Sequence, residues 1–153
     1  MCIRLLTLCL LAFLPGIAMA REELPAHLRL PPGFVAELLV RGPGARSMAM
    51  GPGGTLVVGT QRGGKVFAVR GALGAAPQLL VVEEGLKMPN GVAFHEGALY
   101  VAEPERILRF DGIEARLEQP SAPVVVGDSL PTRGMLHAWR YIAFGPDGKL
   151  YVG

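Results

Sequence analysis

Cysteine is almost missing from this 153-residue chain: there are two, Cys2 and Cys9, both close to the amino terminus. Past them no disulfide or thiolate site can be built from the residues present, and no His/Cys spacing of the zinc type occurs. An excess of either charge is missing too. Fifteen basic residues face thirteen acidic ones. The basic residues are scattered without interleaved aromatics, so there is no electrostatic footprint for nucleic acid or an anionic membrane surface. Helical periodicity is missing as well; Ile113-Glu114-Ala115-Arg116-Leu117 can form one turn and no more.

The apolar run Leu5 to Leu14 is too short to span a bilayer. It follows the positive charge of Arg4 and precedes Ala18-Met19-Ala20, a small-x-small cleavage site before Arg21. This pattern predicts a secretory signal peptide over residues 1–20, and a helix continuing into the fold is disfavoured by Pro15-Gly16. Cys9 follows Leu6-Thr7-Leu8 rather than a small residue, so no lipoprotein anchor is expected. Cleavage removes Arg4 and leaves fourteen basic residues against thirteen acids. The expected location is periplasmic or secreted, with no membrane span after cleavage.

What the chain has in quantity is glycine and proline, 21 and 13 residues, set at intervals between apolar runs. That spacing reads as turns between strands rather than as disorder. In Tyr141-Ile142-Ala143-Phe144-Gly145-Pro146-Asp147-Gly148-Lys149-Leu150-Tyr151-Val152, Pro146 fixes φ, Asp147 tolerates bent backbone and Gly148 supplies a positive φ. The hairpin so predicted occurs twice before, around Gly54 and Gly97. The three turn glycines lie 43 and 51 residues apart, and a period of roughly 40–50 residues with four short strands per unit marks a β-propeller blade.

Phe34 to Val40 is the first expected strand, an outer one placed to help close a ring. Blade one runs through Met48–Met50, Thr55–Val58, Lys65–Val69 and Leu79–Val82. Blade two follows with Val92–Phe94, Ala98–Ala102, Arg106–Phe110 and Pro123–Val126. Blade three starts at Tyr141 and reaches its second strand. The expectation is an all-β chain in which residues 21–153 are the amino-terminal part of a propeller, about two and a half blades of a ring that needs at least four.

The first strand of each blade lines the channel of a propeller, so the segment leading into it lies at the channel mouth. His137, Pro89-Asn90-Gly91 and Arg46-Ser47 all hold that position. Together they form a candidate axial site, although any one of them can equally serve to cap a loop. A neutral imidazole suits proton abstraction near pH 7, which singles out His137 over His95, expected in a turn, and His27, in the lead-in. Gly59-Thr60-Gln61-Arg62-Gly63-Gly64-Lys65 has phosphate-loop spacing, but Val66 replaces the required Ser/Thr and no helix follows, so it reads as a hairpin turn. Glu83-Glu84 and the pair Glu103 and Glu105 are expected to face solvent beside turns.

An ordered set of motifs covers nearly all of the mature segment. It comprises Leu30-Pro31-Pro32-Gly33-Phe34, Gly44-Ala45-Arg46-Ser47-Met48, Lys65-Val66-Phe67-Ala68-Val69, Met88-Pro89-Asn90-Gly91-Val92-Ala93-Phe94, Gly97-Ala98-Leu99-Tyr100-Val101-Ala102-Glu103 and Phe144 to Val152. This set resembles the glucose/sorbosone dehydrogenase family, whose members are exported six-bladed propellers that use pyrroloquinoline quinone (PQQ). The resemblance implies that His137 is the general base acting on a sugar or hydrated aldehyde while hydride passes to the quinone. It implies that Trp139 is a wall of the pocket, or else core packing, and that Asn90 is the nearest counterpart of a quinone-holding glutamine. Two neighbours of His137 depart from the family pattern, Ala138 where glycine is usual and Leu136 where a polar residue is usual. Cations for the quinone carboxylates and ligands for calcium are expected after residue 153, and a cytochrome or similar acceptor as electron partner. The alternatives are a calcium-dependent lactone hydrolase, which would place Glu, Asp and Asn at the blade lead-ins, and a non-catalytic binding propeller. Residues 21–153 by themselves are expected to be inactive and prone to aggregate through unpaired blade edges; soluble, monomeric, quinone-binding behaviour in gel filtration and titration would contradict this.

Overall fold

Three hairpins reverse at the aligned glycines, and each of these has the left-handed backbone that a side chain would resist: φ is 84° at Gly54, 77° at Gly97 and 72° at Gly148. In the first and third, the glycine N–H closes a turn onto the carbonyl three residues back, Gly54 to Gly51 at 3.0 Å and Gly148 to Gly145 at 3.0 Å. The second is tighter. His95 pairs with Ala98, and Glu96 and Gly97 both take positive φ, the two-residue turn whose twist matches its strands.

The computed structural model describes residues 27–42, 44–132 and 138–153. The expected leader over residues 1–20 and the expected base His137 therefore lie outside the described residues. The described residues fall into two units, divided between Leu38 and Leu39. In the first, Pro31-Pro32-Gly33-Phe34 forms a turn closed by the Phe34 N–H on the Pro31 carbonyl at 3.2 Å, with Gly33 at φ 86°. The strand expected over Phe34–Val40 is not formed. Phe34 and Val35 stay 70% and 92% exposed; apolar β-formers become a strand only when a neighbouring strand accepts their ladder bonds.

The second unit is all-β apart from one 3-10 turn. Strands β1 (Ala45–Met50), β2 (Leu56–Thr60), β3 (Val66–Arg70) and β4 (Gln78–Glu83) form one four-stranded sheet in chain order. Strands β5 (Gly91–His95), β6 (Ala98–Ala102), β7 (Ile107–Phe110) and β8 (Val124–Gly127) form a second, and β9 (Ile142–Phe144) with β10 (Leu150–Val152) begins a third pattern of the same kind. All pairings are antiparallel. The repeat extends to its irregularities: β4 carries a bulge between the partners of Val66 and Phe67, and β8 carries one between the partners of Ile107 and Leu108. Such bulges twist an outer strand away from flat edge pairing.

The sheets pack face to face. Val57, Val66, Ala68 and Val82 of the first sheet share one core with Val92, Leu99, Val101, Leu108 and Phe110 of the second, closed by Ile113 and Leu117. Phe110, Leu99 and Leu108 are essentially without exposed surface, and full burial of such a side chain contributes about 1.5–3 kcal/mol. A smaller core joins Ala93, Ala102 and Ile107 to Ile142 of the third pattern. There His95 stacks on Phe144 at 4.1 Å between ring centroids, and Tyr100 meets the same ring edge-on at 4.8 Å. His95 thus ends β5 and packs between sheets, where the sequence suggests only a turn.

Polar links reinforce the packing. The 3-10 turn Ile113–Ala115 carries Glu114, whose carboxylate accepts N–H bonds from Gly53 at 2.9 Å and Thr55 at 3.1 Å in the first hairpin. In the third hairpin the Lys149 N–H, then its ammonium and the Tyr151 hydroxyl, hold the Asp147 carboxyl below its usual range. The resulting stabilisation is present above the ordinary Asp pKa and is lost as pH falls through the lowered value. Among the described residues no helix is long and apolar enough to cross a membrane.

Two glycines separate backbone strain from steric conflict. A Cβ at Gly97 meets nothing within 4 Å, whereas one at Gly59 would lie 2.2 Å from the Asn90 carbonyl oxygen. In urea denaturation of the full-length protein, Gly97→Ala is expected to lower stability by about 1–2 kcal/mol, and Gly59→Ala by clearly more, because two sheets must separate. Equal losses would contradict this packing.

Candidate functional site

In an antiparallel meander, alternate connections fall at opposite ends of the sheet. The segments leading into β1, β5 and β9 therefore share one end with the β2–β3 and β6–β7 connections. Strand β5 also lies next to both β1 and β9, which brings the three lead-ins to the same end. The β3–β4 and β7–β8 connections lie at the far end, where Arg70, Ala115, Arg116, Leu117, Glu118 and Gln119 line a shallow cavity of about 480 Å³.

At the convergent end the centre is Asn90, which is 0% exposed. Its Nδ2 donates to the Arg140 carbonyl at 2.9 Å. Its own carbonyl accepts from the Ser47 hydroxyl, and the Ser47 oxygen accepts from the Val92 N–H at 3.2 Å. One residue earlier, the Pro89 carbonyl accepts from the Thr60 N–H at 2.9 Å. The next residue, Gly91, leaves no room either: a Cβ there would lie 2.6 Å from the Arg140 carbonyl oxygen. Segment 89–91 is thus wedged between the first and third patterns, tied to both by hydrogen bonds.

Ser47 reaches Asn90 from a bulge. The register of β1 slips between Ala45 and Met48, opposite Thr60 and Val58, so one extra residue is accommodated at Arg46-Ser47 and the local side chains are re-aimed. Arg46, on the same bulge, sets its guanidinium carbon 5.9 Å from the centroid of the half-buried Trp139 ring. Arg140 anchors the other side of Trp139, its guanidinium donating to the Pro104 carbonyl at 3.2 Å and to the Pro131 carbonyl. Ala138 is buried, 8% exposed.

The β6–β7 connection contributes a carboxylate that lies where the sequence does not place it. Glu103, expected to face solvent with Glu105, is 2% exposed. It accepts from the Lys87 N–H and from Arg106 Nε, and its own N–H donates to the Arg106 carbonyl at 2.9 Å. Glu105 does face solvent, paired with Lys87 Nζ at 2.8 Å, a bond that holds its carboxyl below the usual range. The difference is one of strand phase: Glu103 directly follows buried Ala102 at the end of β6 and turns inward, and Arg106, three residues on, makes that burial tolerable. By holding Lys87, Glu103 fixes the segment that carries Met88, at φ 44°, and then Asn90. Glu84 pairs with Lys65 at 2.8 Å on the surface. The phosphate-loop spacing resolves into a β2–β3 turn closed by the Thr60 hydroxyl on the Lys65 carbonyl at 2.7 Å.

The expected site residues thus divide. His137 lies outside the described residues; Trp139 and Asn90 sit at the same end, joined through Arg140. The group implied by the resemblance is a planar quinone bearing carboxylates, which calls for a cation and an aromatic face. Arg46 and Trp139 offer one of each, side by side, and fit it. Asn90, with no exposed surface and its N–H engaged on Arg140, offers such a group nothing to touch. Among the described residues no three His, Cys, Asp or Glu gather as metal ligands.

No family model and no curated protein matches the chain by sequence. Solved structures do match in fold. The holo form of the PQQ domain of pyranose dehydrogenase from Coprinopsis cinerea superposes with a TM-score of 0.58 at 14% identity, over 71% of this chain and 27% of that one. The PQQ-bound form of aldose sugar dehydrogenase from Streptomyces coelicolor superposes with a TM-score of 0.59 at 23% identity, over 78% of this chain and 40% of that one. The chain therefore shares the all-β sheet arrangement of these domains and spans less than half the length of either.

Removing the buried carboxylate tests the rim. Glu103→Ala leaves the Lys87 N–H without its acceptor while the half-exposed Arg106 turns to water, so a loss of about 1–3 kcal/mol is expected in denaturation of the full-length protein. Glu105→Ala, on the surface, is expected to cost less than about 1 kcal/mol; the reverse order would contradict the assignment.

Proposed function

We propose that this chain is the amino-terminal part of a periplasmic or secreted, six-bladed propeller dehydrogenase that uses PQQ to oxidise a sugar or sugar aldehyde. The observation that carries the reading is the meeting of three successive blade lead-ins at one end, within a sheet arrangement shared with two PQQ-holding sugar dehydrogenase structures. The ordered sequence motifs point the same way, and so does the leader-like amino terminus.

When bound, PQQ supplies an acceptor for the hydride of a sugar hydroxyl or hydrated aldehyde carbon. His137 takes the hydroxyl proton at the substrate oxygen, as a neutral imidazole can near pH 7. Trp139 gives a flat apolar wall that excludes water, and Arg46 beside it offers positive charge to a carboxylate. Ser47, Asn90 and Arg140 hold those two residues in register across three sheets. The reading also calls for a calcium ion and for cations facing the quinone carboxylates, with a cytochrome or comparable acceptor taking the electrons.

Dye reduction by the full-length protein tests this. Turnover of an aldose is expected only with both PQQ and calcium, and His137→Ala is expected to lower kcat by about 10²–10⁴-fold. Turnover without the quinone, an unaffected His137→Ala variant, or calcium-dependent acid release from a lactone without dye reduction would overturn it.

A further inference from the structure

The inward-facing carboxamide of Asn90 has a use that its burial rules out for direct ligand contact. Only its Nδ2 is engaged, on the Arg140 carbonyl; Oδ1 is buried and has no hydrogen-bond partner among the described residues. A single donated bond therefore links segment 89–91 to the residue immediately after Trp139. The backbone of Asn90 is itself fixed from the other side by Ser47, one residue from Arg46, whose guanidinium lies over the Trp139 ring. The path Arg46–Ser47–Asn90–Arg140–Trp139 closes into a loop of contacts that spans all three patterns.

We propose that Asn90 is a positioning residue: its carboxamide fixes the Arg140 carbonyl and so holds the Trp139 ring against Arg46, setting the aromatic wall for a planar carboxylate-bearing ligand. The identity of that ligand as PQQ rests on the function proposed above; the tie itself does not. Side-chain chemistry explains the choice of residue. Aspartate has nearly the same shape but, ionised, sets an acceptor against an acceptor. Leucine keeps the branching, though with bulkier methyl groups, and donates nothing. Glutamine is one methylene too long for a site with no free surface.

The test uses full-length protein with Asn90→Asp and Asn90→Leu, read by amide hydrogen exchange at residues 138–142 and by spectroscopic titration of the apoprotein with PQQ. Both variants are expected to exchange faster at residues 138–142, with β2 and β3 unchanged, and to bind PQQ about tenfold more weakly, the equivalent of one lost hydrogen bond. Unchanged exchange at 138–142 overturns the proposal, as does faster exchange with unaltered PQQ affinity, which would leave Asn90 a packing residue only. A wild-type protein that binds no PQQ, yet shows the faster local exchange in the variants, overturns the quinone reading and leaves the tie standing. If Asn90→Leu does not fold, Asn90→Ala, which removes the donor without adding bulk, carries the same expectation.

Discussion

The constraint on which the second unit depends is the wedging of a three-residue backbone segment, 89–91, between two neighbouring sheets. Gly59 on one side and Gly91 on the other leave no space for a Cβ, with carbonyl oxygens 2.2 Å and 2.6 Å from where one would stand. Backbone polar groups brought this close must find partners, and they do: Thr60 bonds to Pro89, Ser47 to Asn90, and Asn90 to Arg140. The inner strands are thereby held side by side, and the segments that precede them converge.

From that junction the rest follows outward. Hydrophobic faces of the first two sheets close on each other through Val57, Val66, Leu99 and Phe110, which supplies most of the stabilisation, since buried apolar area outweighs the exposed ion pairs at Lys65–Glu84 and Lys87–Glu105. Glu114 and Glu103 then reach from the second sheet, one to the far-end hairpin of the first and one to the lead-in of its own. Each end of the blade junction so acquires a buried or half-buried carboxylate that accepts backbone N–H groups, the usual remedy where turns are packed against turns. The end holding Glu103 is the one that also gathers Ser47, Asn90, Trp139 and Arg140.

Much of this could be read from the residues because turn chemistry is local. Gly54, Gly97 and Gly148 announce their positive φ in the sequence, and their spacing gives the repeat before any contact is known. The strands between them were legible for the same reason, as was the failure of the phosphate-loop pattern. Phe34–Val40 was not, since a strand needs a partner and β-propensity does not say whether one is there. Glu103 was misplaced because its burial depends on the phase of β6 and on Arg106 and Lys87 across a turn. Asn90 is tied to the first sheet by Ser47, which sits on a bulge of β1, and to the third pattern by Arg140. Pairings between distant segments leave no mark in either segment alone.

If the proposed function holds, the convergent end, with Trp139 and Arg46 at its mouth, receives a quinone on the axis of a closed ring. The most direct measurement is an experimental structure of the full-length protein with PQQ bound. Six blades are expected, with the quinone within contact distance of Trp139 and the His137 imidazole facing it. A quinone bound elsewhere, or His137 turned to bulk solvent, would contradict it.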